Sequence, residues 1–248
     1  MDKKREAVAL ITGGHRGIGY EIAAGLGRLG MTTLVGARDL DQGEHAAGRL
    51  RRDGFDAHAL RLDVTGADDP AEVAAWIGAR YGRLDVLVNN AGISGSRQGQ
   101  QPGSADLATL RTVFATNVFG AVAVTEAMLP LLRRSPRARI VNVTSGLGSM
   151  TRMTDPGDYF TGLPAALGYP PSKTALNHIT VQYAKHLAPE AILVNAADPG
   201  PCATEFTKGI PGVTRAAADG ARVVVHLSTL EDDGPTGGYF DEAGRVPW

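Results

Sequence analysis

AVALITGGHRGIG, residues 7–19, changes character at Thr12: a short apolar run gives way to glycines, and from Gly17 to about residue 29 apolar residues return at helical spacing. That order predicts a strand, a tight turn and a helix. Glycines at such a turn let the backbone pass close to a pyrophosphate, whose charge is favoured by the unpaired N–H groups and dipole of the helix that follows. Gly13, His15, Arg16, Gly17, Ile18 and Gly19 are therefore the first expected cofactor contacts. A tight turn without a ligand is the plainer alternative.

Working outward, residues 32–37 (TTLVGA) form the next strand, and Asp39 caps a helix over 39–52, with Gln42 placed as in a capping box. The alternation continues with strands at 57–62 and 85–88, helices over 71–80 and 107–132, a strand at 139–144, a helix over 169–186, a strand at 192–196, a helix over 215–228 and a short strand around Tyr239. Repeated βα units with near-continuous apolar strands imply a doubly wound, Rossmann-type α/β fold: a parallel sheet of about seven strands with helices on both faces. No repeat, charge run or Ser/Pro-rich linker divides the chain, so residues 1–248 are expected to be one domain.

A formal net charge of −1 in 248 residues, with Arg and Lys dispersed, advertises no face to nucleic acid. No apolar run approaches the ~18 residues of a membrane span, and the N-terminus lacks the pattern of a signal peptide. The single cysteine, Cys202, has no internal disulfide partner, so a cytoplasmic location is expected. The six histidines form no metal-ligand pattern.

The second strand runs into VGARD, where Ala37 stands in the place of an acid that would bond a ribose 2′-OH and Arg38 follows. Arg38 and Arg16 suit a 2′-phosphate, which favours NADP(H) over NAD(H); the alternative is two solvated arginines. Asp63 and Val64, then Asn90, Ala91 and Gly92 of NNAG, follow later strands and should line the same crevice. Two amides and a glycine at a strand end cost β stability without returning packing.

In GYPPSKTALN, residues 168–177, Pro170 and Pro171 occupy a helical first turn, where their missing N–H groups have no helical partner to lose. Tyr169 and Lys173 share a helical face, and an ammonium at ~4 Å could lower a phenol pKa by roughly three units at an effective dielectric of ~20.

Together TGGHRGIG, NNAG, Asn117 in TNVFG, Ser145 in VNVTSGLG, YPPSK and PGPCAT resemble the short-chain dehydrogenase/reductase family over essentially the whole chain. The resemblance implies that Tyr169 is the general acid in carbonyl reduction, that Lys173 also bonds the nicotinamide ribose, and that Ser145 polarises the carbonyl. It further implies that Asn117 holds a water relaying protons from Lys173, and that Pro199, Gly200, Cys202 and Thr204 contact the nicotinamide carboxamide. Tyr169 and Lys173 are counted among the cofactor contacts as well.

Ser145 and Tyr169 are 24 positions apart, more than in many family members, so an insertion near 149–162 should loop out before the active-site helix. Similar insertions can block the helix pairing used for tetramers, which leaves a homo-oligomer or a monomer open. Ser149 is a weaker rival to Ser145. Residues 94–103, 149–167 and 205–214 should shape the pocket, the last as a lid, with Met150, Met153, Tyr159, Phe160 and Phe206 as apolar walls. The expected activity is NADPH-dependent reduction of ketones or aldehydes to alcohols, reversibly, on a small-molecule substrate. The alternatives are a catalytically silent NADP(H)-binding regulator and a sugar-nucleotide epimerase or dehydratase, for which too little chain follows Gly200 to build a separate substrate domain.

Overall fold

Strands β1 (Val8–Thr12), β2 (Thr32–Ala37), β4 (Val86–Asn89), β5 (Arg139–Val143) and β6 (Leu193–Ala197) are buried along their whole length, as strands covered on both faces must be. The computed structural model describes residues 7–96 and 98–248. With β3 (Ala57–Arg61), β7 (Tyr239–Asp241) and β8 (Gly244–Arg245) these strands form one sheet in the order β3-β2-β1-β4-β5-β6-β7-β8, parallel except for β8. The chain turns back between β1 and β4, the switch point outside whose carboxyl ends ligands of such sheets bind. An eighth strand joins the seven expected because a tight turn, held by Asp241 accepting from Ala243 N and Gly244 N, folds two residues back onto β7.

Alternation along β1 divides the core. Leu10 faces one side with Ile77 of α3 (Asp69–Tyr81), Val124 and Met128 of α5 (Ala121–Leu132) and Leu187 of α7 (Tyr169–Leu187). Ile11 faces the other with Ile22 of α1 (Gly17–Arg28), Leu50 of α2 (Leu40–Arg52) and Val224 of α8 (Ala217–Ser228). Asp39 caps α2 by accepting from Asp41 N and Gln42 N, but the Gln42 side chain donates to the Asp39 carboxylate and does not complete the expected capping box.

The helix expected over 107–132 is continuous but not uniform: α4 (Leu107–Phe114) passes into a π-helical stretch, Ala115–Gly120, before α5. Against the expectation that no segment approaches a membrane span, Leu107–Leu132 is long and apolar enough by length and composition. Its apolar residues Val113, Val124, Met128 and Leu132 are buried in the protein's own core.

NNAG also repays its cost. Asn89 donates to Thr125 Oγ1 at 3.0 Å and to Asn142 Oδ1 at 2.9 Å, and Asn142 donates to Thr180 Oγ1 at 2.8 Å, a buried ladder tying β4 and β5 to α5 and α7. Asn90 Nδ2 donates to Thr12 O at 2.8 Å and Gly13 O at 3.2 Å, fastening the glycine turn from beneath.

A Cβ on Gly19 would lie 2.4 Å from Gly13 O and 2.5 Å from Asn90 Nδ2, so the turn closes only around glycine. Gly19→Ala is expected to destabilise by about 2 kcal/mol, lowering Tm by about 4–8 °C in a thermal melt. A variant melting with the wild type would show that the turn has slack.

The residues expected to loop out are folded. Ser149 caps α6 (Met150–Thr154) by accepting from Arg152 N and donates to Pro247 O at 2.7 Å, which makes it a cap and removes it as a rival to Ser145. A 3₁₀ turn, Tyr159–Gly162, follows and carries Phe160 against Gly146. The shallow groove between α5 and α7, lined by Val122, Glu126, Ile179, Gln182, Tyr183 and His186, receives no residue from the insertion.

Candidate active site

β5 delivers Ser145 to the crevice two residues past its last paired residue, where the backbone turns into a 3₁₀ turn, Gly146–Gly148. Its hydroxyl accepts from Leu147 N at 3.3 Å and lies near enough to the Tyr169 phenol to pull its pKa downward. Gly168 supplies no side-chain cap to α7 and Pro170 and Pro171 supply no N–H, so the first turn presents Tyr169 and leaves its backbone N–H unpaired within the helix. One turn on, Lys173 is 4 % exposed, with Nζ 5.7 Å from the Tyr169 ring centroid and donating to Val143 O at 2.9 Å. A Cβ on Gly92 would lie 3.5 Å from that ammonium and 3.4 Å from Asn117 Oδ1, so the glycine of NNAG keeps space open beside both.

The electrostatics reverse one expectation. Burial pushes the Tyr169 phenol well above its ordinary value, the neighbouring Ser145 hydroxyl opposes this, and the charge of Asp198 adds to the rise. The ammonium that spacing alone made a source of acidity points to a backbone carbonyl, and burial lowers Lys173 itself to about 8 against the upward pull of Asp198. Desolvation outweighs pairing at both groups. Both shifts keep the tyrosine in its protonated form.

Asn117 lies within the π-helical stretch, a feature that recurs at functional sites. Its amide is committed: Oδ1 accepts from Ile93 N at 2.8 Å, and Nδ2 donates to Ile93 O at 2.9 Å and to Ser172 Oγ at 3.0 Å. With its side chain so held, Asn117 ties the segment after β4 to the first turn of α7.

On the other flank, Gly13 and Gly17 take positive φ, 62° and 54°, and Arg16 precedes α1 with extended backbone and no side-chain cap. His15 Nδ1 is buried without a partner, and burial together with the charges of Arg16 and Arg38 lowers its pKa. Arg16 and Arg38 are exposed around it, whereas Ala37 is buried. Ile18 packs on the core beneath the turn. The Asp63 carboxylate is held by Thr65 N at 2.9 Å and Thr65 Oγ1 at 2.7 Å, which keep it below the usual range, and Val64 packs under Gly120. Ala91 N donates to Thr12 Oγ1 at 2.9 Å.

From β6, Pro199 and Gly200 (φ 66°) turn the chain so that Thr204 reaches Gly17, a Cβ on which would lie 3.4 Å from Thr204 Cγ2. Cys202 is 1 % exposed, its thiol faces Pro199 O at 3.7 Å, and it fills the space that a Cβ on Gly220 would need. Its side chain packs the loop onto α8.

Of the expected walls, Phe206 lies with its ring centroid 5.5 Å from that of Tyr169 and Phe160 backs the Ser145 turn, while Met150 and Tyr159 are 58 % and 74 % exposed. Sequence reading missed Asp198, a buried carboxylate that accepts from Gly200 N at 2.9 Å and packs against Gly146, bringing the ends of β5 and β6 together. It also missed Gln100, 5 % exposed against the start of α7. An acid directly before a Pro-Gly turn was the available hint for the first; nothing local marks the second.

A family model described as short chain dehydrogenase matches residues 7–212. The chain belongs to the short-chain dehydrogenase family. Members of that family are oxidoreductases that bind nicotinamide cofactors. The chain is 37% identical over 227 residues to the short-chain dehydrogenase anuI of Penicillium roqueforti, covering 90% of this chain and 88% of the relative. It is 33% identical over 210 residues to cyclopentanol dehydrogenase of Comamonas testosteroni, covering 85% and 78%. Among solved structures, salutaridine reductase from Papaver somniferum superposes with a TM-score of 0.80 at 29% identity, covering 96% of this short-chain dehydrogenase and 100% of that chain.

Proposed function

We propose that this chain is an NADPH-dependent reductase of ketones or aldehydes, running in reverse as an alcohol dehydrogenase. The observation that carries the reading is Tyr169 at the mouth of α7 with the buried Lys173 one turn on, Nζ 5.7 Å from the phenol ring centroid, and Ser145 beside the phenol just past the end of β5. The residues fit a dinucleotide: the turn excludes a Cβ at Gly19, α1 starts without a side-chain cap, and a buried histidine nitrogen lacks a partner between two arginines. Gly13 to Gly19 would hold the pyrophosphate, Arg16 and Arg38 a 2′-phosphate, and Lys173 the nicotinamide ribose. When bound, the cofactor supplies or accepts a hydride.

The chain's own residues do the rest. The Ser145 hydroxyl donates toward the carbonyl oxygen, where negative charge grows during reduction. Tyr169, held neutral by burial, gives that oxygen its proton. The Lys173 ammonium then stabilises the phenolate left behind, and Asp198 helps keep that ammonium charged.

The test is NADPH consumption over a panel of aryl ketones, diketones and aldehydes, run in parallel with NADH. Turnover with NADPH is expected, whereas tight NADPH binding with no turnover on any carbonyl would favour a silent regulator. Arg38→Ala is expected to raise the KM for NADPH about tenfold to a hundredfold, the worth of a charge-assisted bond, with the KM for NADH within about twofold. Equal effects on both cofactors would remove Arg38 from phosphate recognition.

A further inference from the structure

The loop that follows β4 and the first turn of α7 meet through one side chain. Gln100 Oε1 accepts from Tyr169 N at 2.9 Å, while its Nε2 donates to Ser94 O at 2.8 Å and Ser96 O at 2.6 Å. Its own carbonyl accepts from Leu167 N at 2.7 Å. Each hydrogen-bonding atom of the carboxamide is thus used, in a residue 5 % exposed.

The backbone on both sides is shaped to admit this group. A Cβ on Gly168 would lie 2.3 Å from Gln100 Oε1, and one on Gly95 would lie 3.0 Å from Gln100 Nε2. Because Pro170 and Pro171 have no N–H, Tyr169 N is the single main-chain donor of the first turn before Ser172 N, which bonds Gly168 O. A helix mouth without a side-chain cap gains its acceptor from a residue 69 positions away in sequence.

The other end of the loop is tied to the same helix. Ile93 is bonded in both directions by Asn117, and Asn117 donates to Ser172 Oγ, which in turn donates to Tyr169 O at 2.7 Å. The backbone N–H and C=O of Tyr169 are therefore both held, one by Gln100 and one through Ser172 and Asn117.

We propose that Gln100 is a positioning residue that fixes the Tyr169 phenol by latching the loop after β4, through Ser94 and Ser96, to the backbone of Tyr169. The catalytic consequence rests on the reductase reading above; the latch itself does not. Gln100→Leu removes both halves of the contact. Gln100→Glu keeps an acceptor for Tyr169 N but sets a carboxylate against Ser94 O and Ser96 O. Gly168→Ala attacks the same contact from the helix side with Gln100 intact.

The test measures carbonyl reduction per NADPH-binding site together with hydrogen exchange at the Tyr169 amide. In Gln100→Leu, kcat is expected to fall about tenfold, the NADPH Kd to stay within about twofold, and the amide to lose its protection, since one buried hydrogen bond is worth about 1–1.5 kcal/mol. Gln100→Glu is expected to keep kcat within about threefold of wild type while the KM for the carbonyl rises, because its carboxylate faces Ser94 O and Ser96 O, a split that a general loss of stability does not give. Combining Gly168→Ala with Gln100→Leu should cost no more than the worse single change. Unchanged protection in Gln100→Leu, additive losses in the double variant, or a fall in NADPH-binding sites with kcat per site intact would each overturn the proposal. Wild-type protection without turnover on any carbonyl would count against the reductase reading and against the catalytic role assigned to the latch, and leave the latch itself standing.

Discussion

Tyr169→Phe is expected to lower kcat for carbonyl reduction by about a thousandfold while the NADPH Kd stays within about threefold. General acid catalysis by a positioned side chain contributes roughly 10²–10⁴ in rate, and among the described residues named at the site only Ser145 offers another neutral hydroxyl beside the phenol. Ser145, oriented by Leu147 N beside the phenol, polarises the carbonyl but is too weak an acid to give up a proton in its place. The phenylalanine ring fills the same space, so the loss is one of rate rather than of packing. Steady-state kinetics with a fluorescence titration of NADPH separates the two quantities. A variant retaining a tenth or more of wild-type kcat would remove Tyr169 as proton donor.

The alkaline limb of the reaction belongs, on this account, to Lys173. Burial lowers its pKa to about 8, so the ammonium is present below that pH and lost above it. Reduction leaves a phenolate at Tyr169 that the ammonium stabilises, and one charge at ~6 Å and effective dielectric ~20 is worth about 3 kcal/mol, about a hundredfold in rate. The profile of kcat/KM against pH should be flat near neutrality and fall above about pH 8. Lys173→Met should lose about a hundredfold below pH 8 and show no limb there. Asp198 pulls the Lys173 pKa upward, so Asp198→Asn should move the limb to lower pH. A limb surviving unchanged in Lys173→Met would assign it to another group.

What could be read from the chain depended on how local the cause was. The glycine turn, the YPPSK helix start and the buried strands are set by neighbours in sequence, and each lies within two or three residues of where it was expected. The direction in which Lys173 points was not legible, because Val143 O, which accepts from its ammonium, lies at the end of β5 and not on its own helix. Nor were the uses of Asn89 and Asn90, whose partners Asn142 and Thr12 are brought alongside by sheet pairing alone. The π-helical stretch at Asn117 leaves the apolar spacing of the long helix almost unaltered, and so escapes a search for periodicity. The sign of the Tyr169 shift was misjudged for the same reason: spacing reveals a neighbouring charge but not how much water the fold removes from both groups.

The most direct test is a crystal structure of the enzyme with NADP(H) and an unreactive carbonyl analogue. Tyr169 Oη and Ser145 Oγ should both lie within about 3 Å of the carbonyl oxygen, with Lys173 Nζ drawn off Val143 O toward the cofactor ribose. A carbonyl oxygen touching neither hydroxyl, with Lys173 still bonded to Val143 O, would contradict the assignment of proton transfer to this tyrosine.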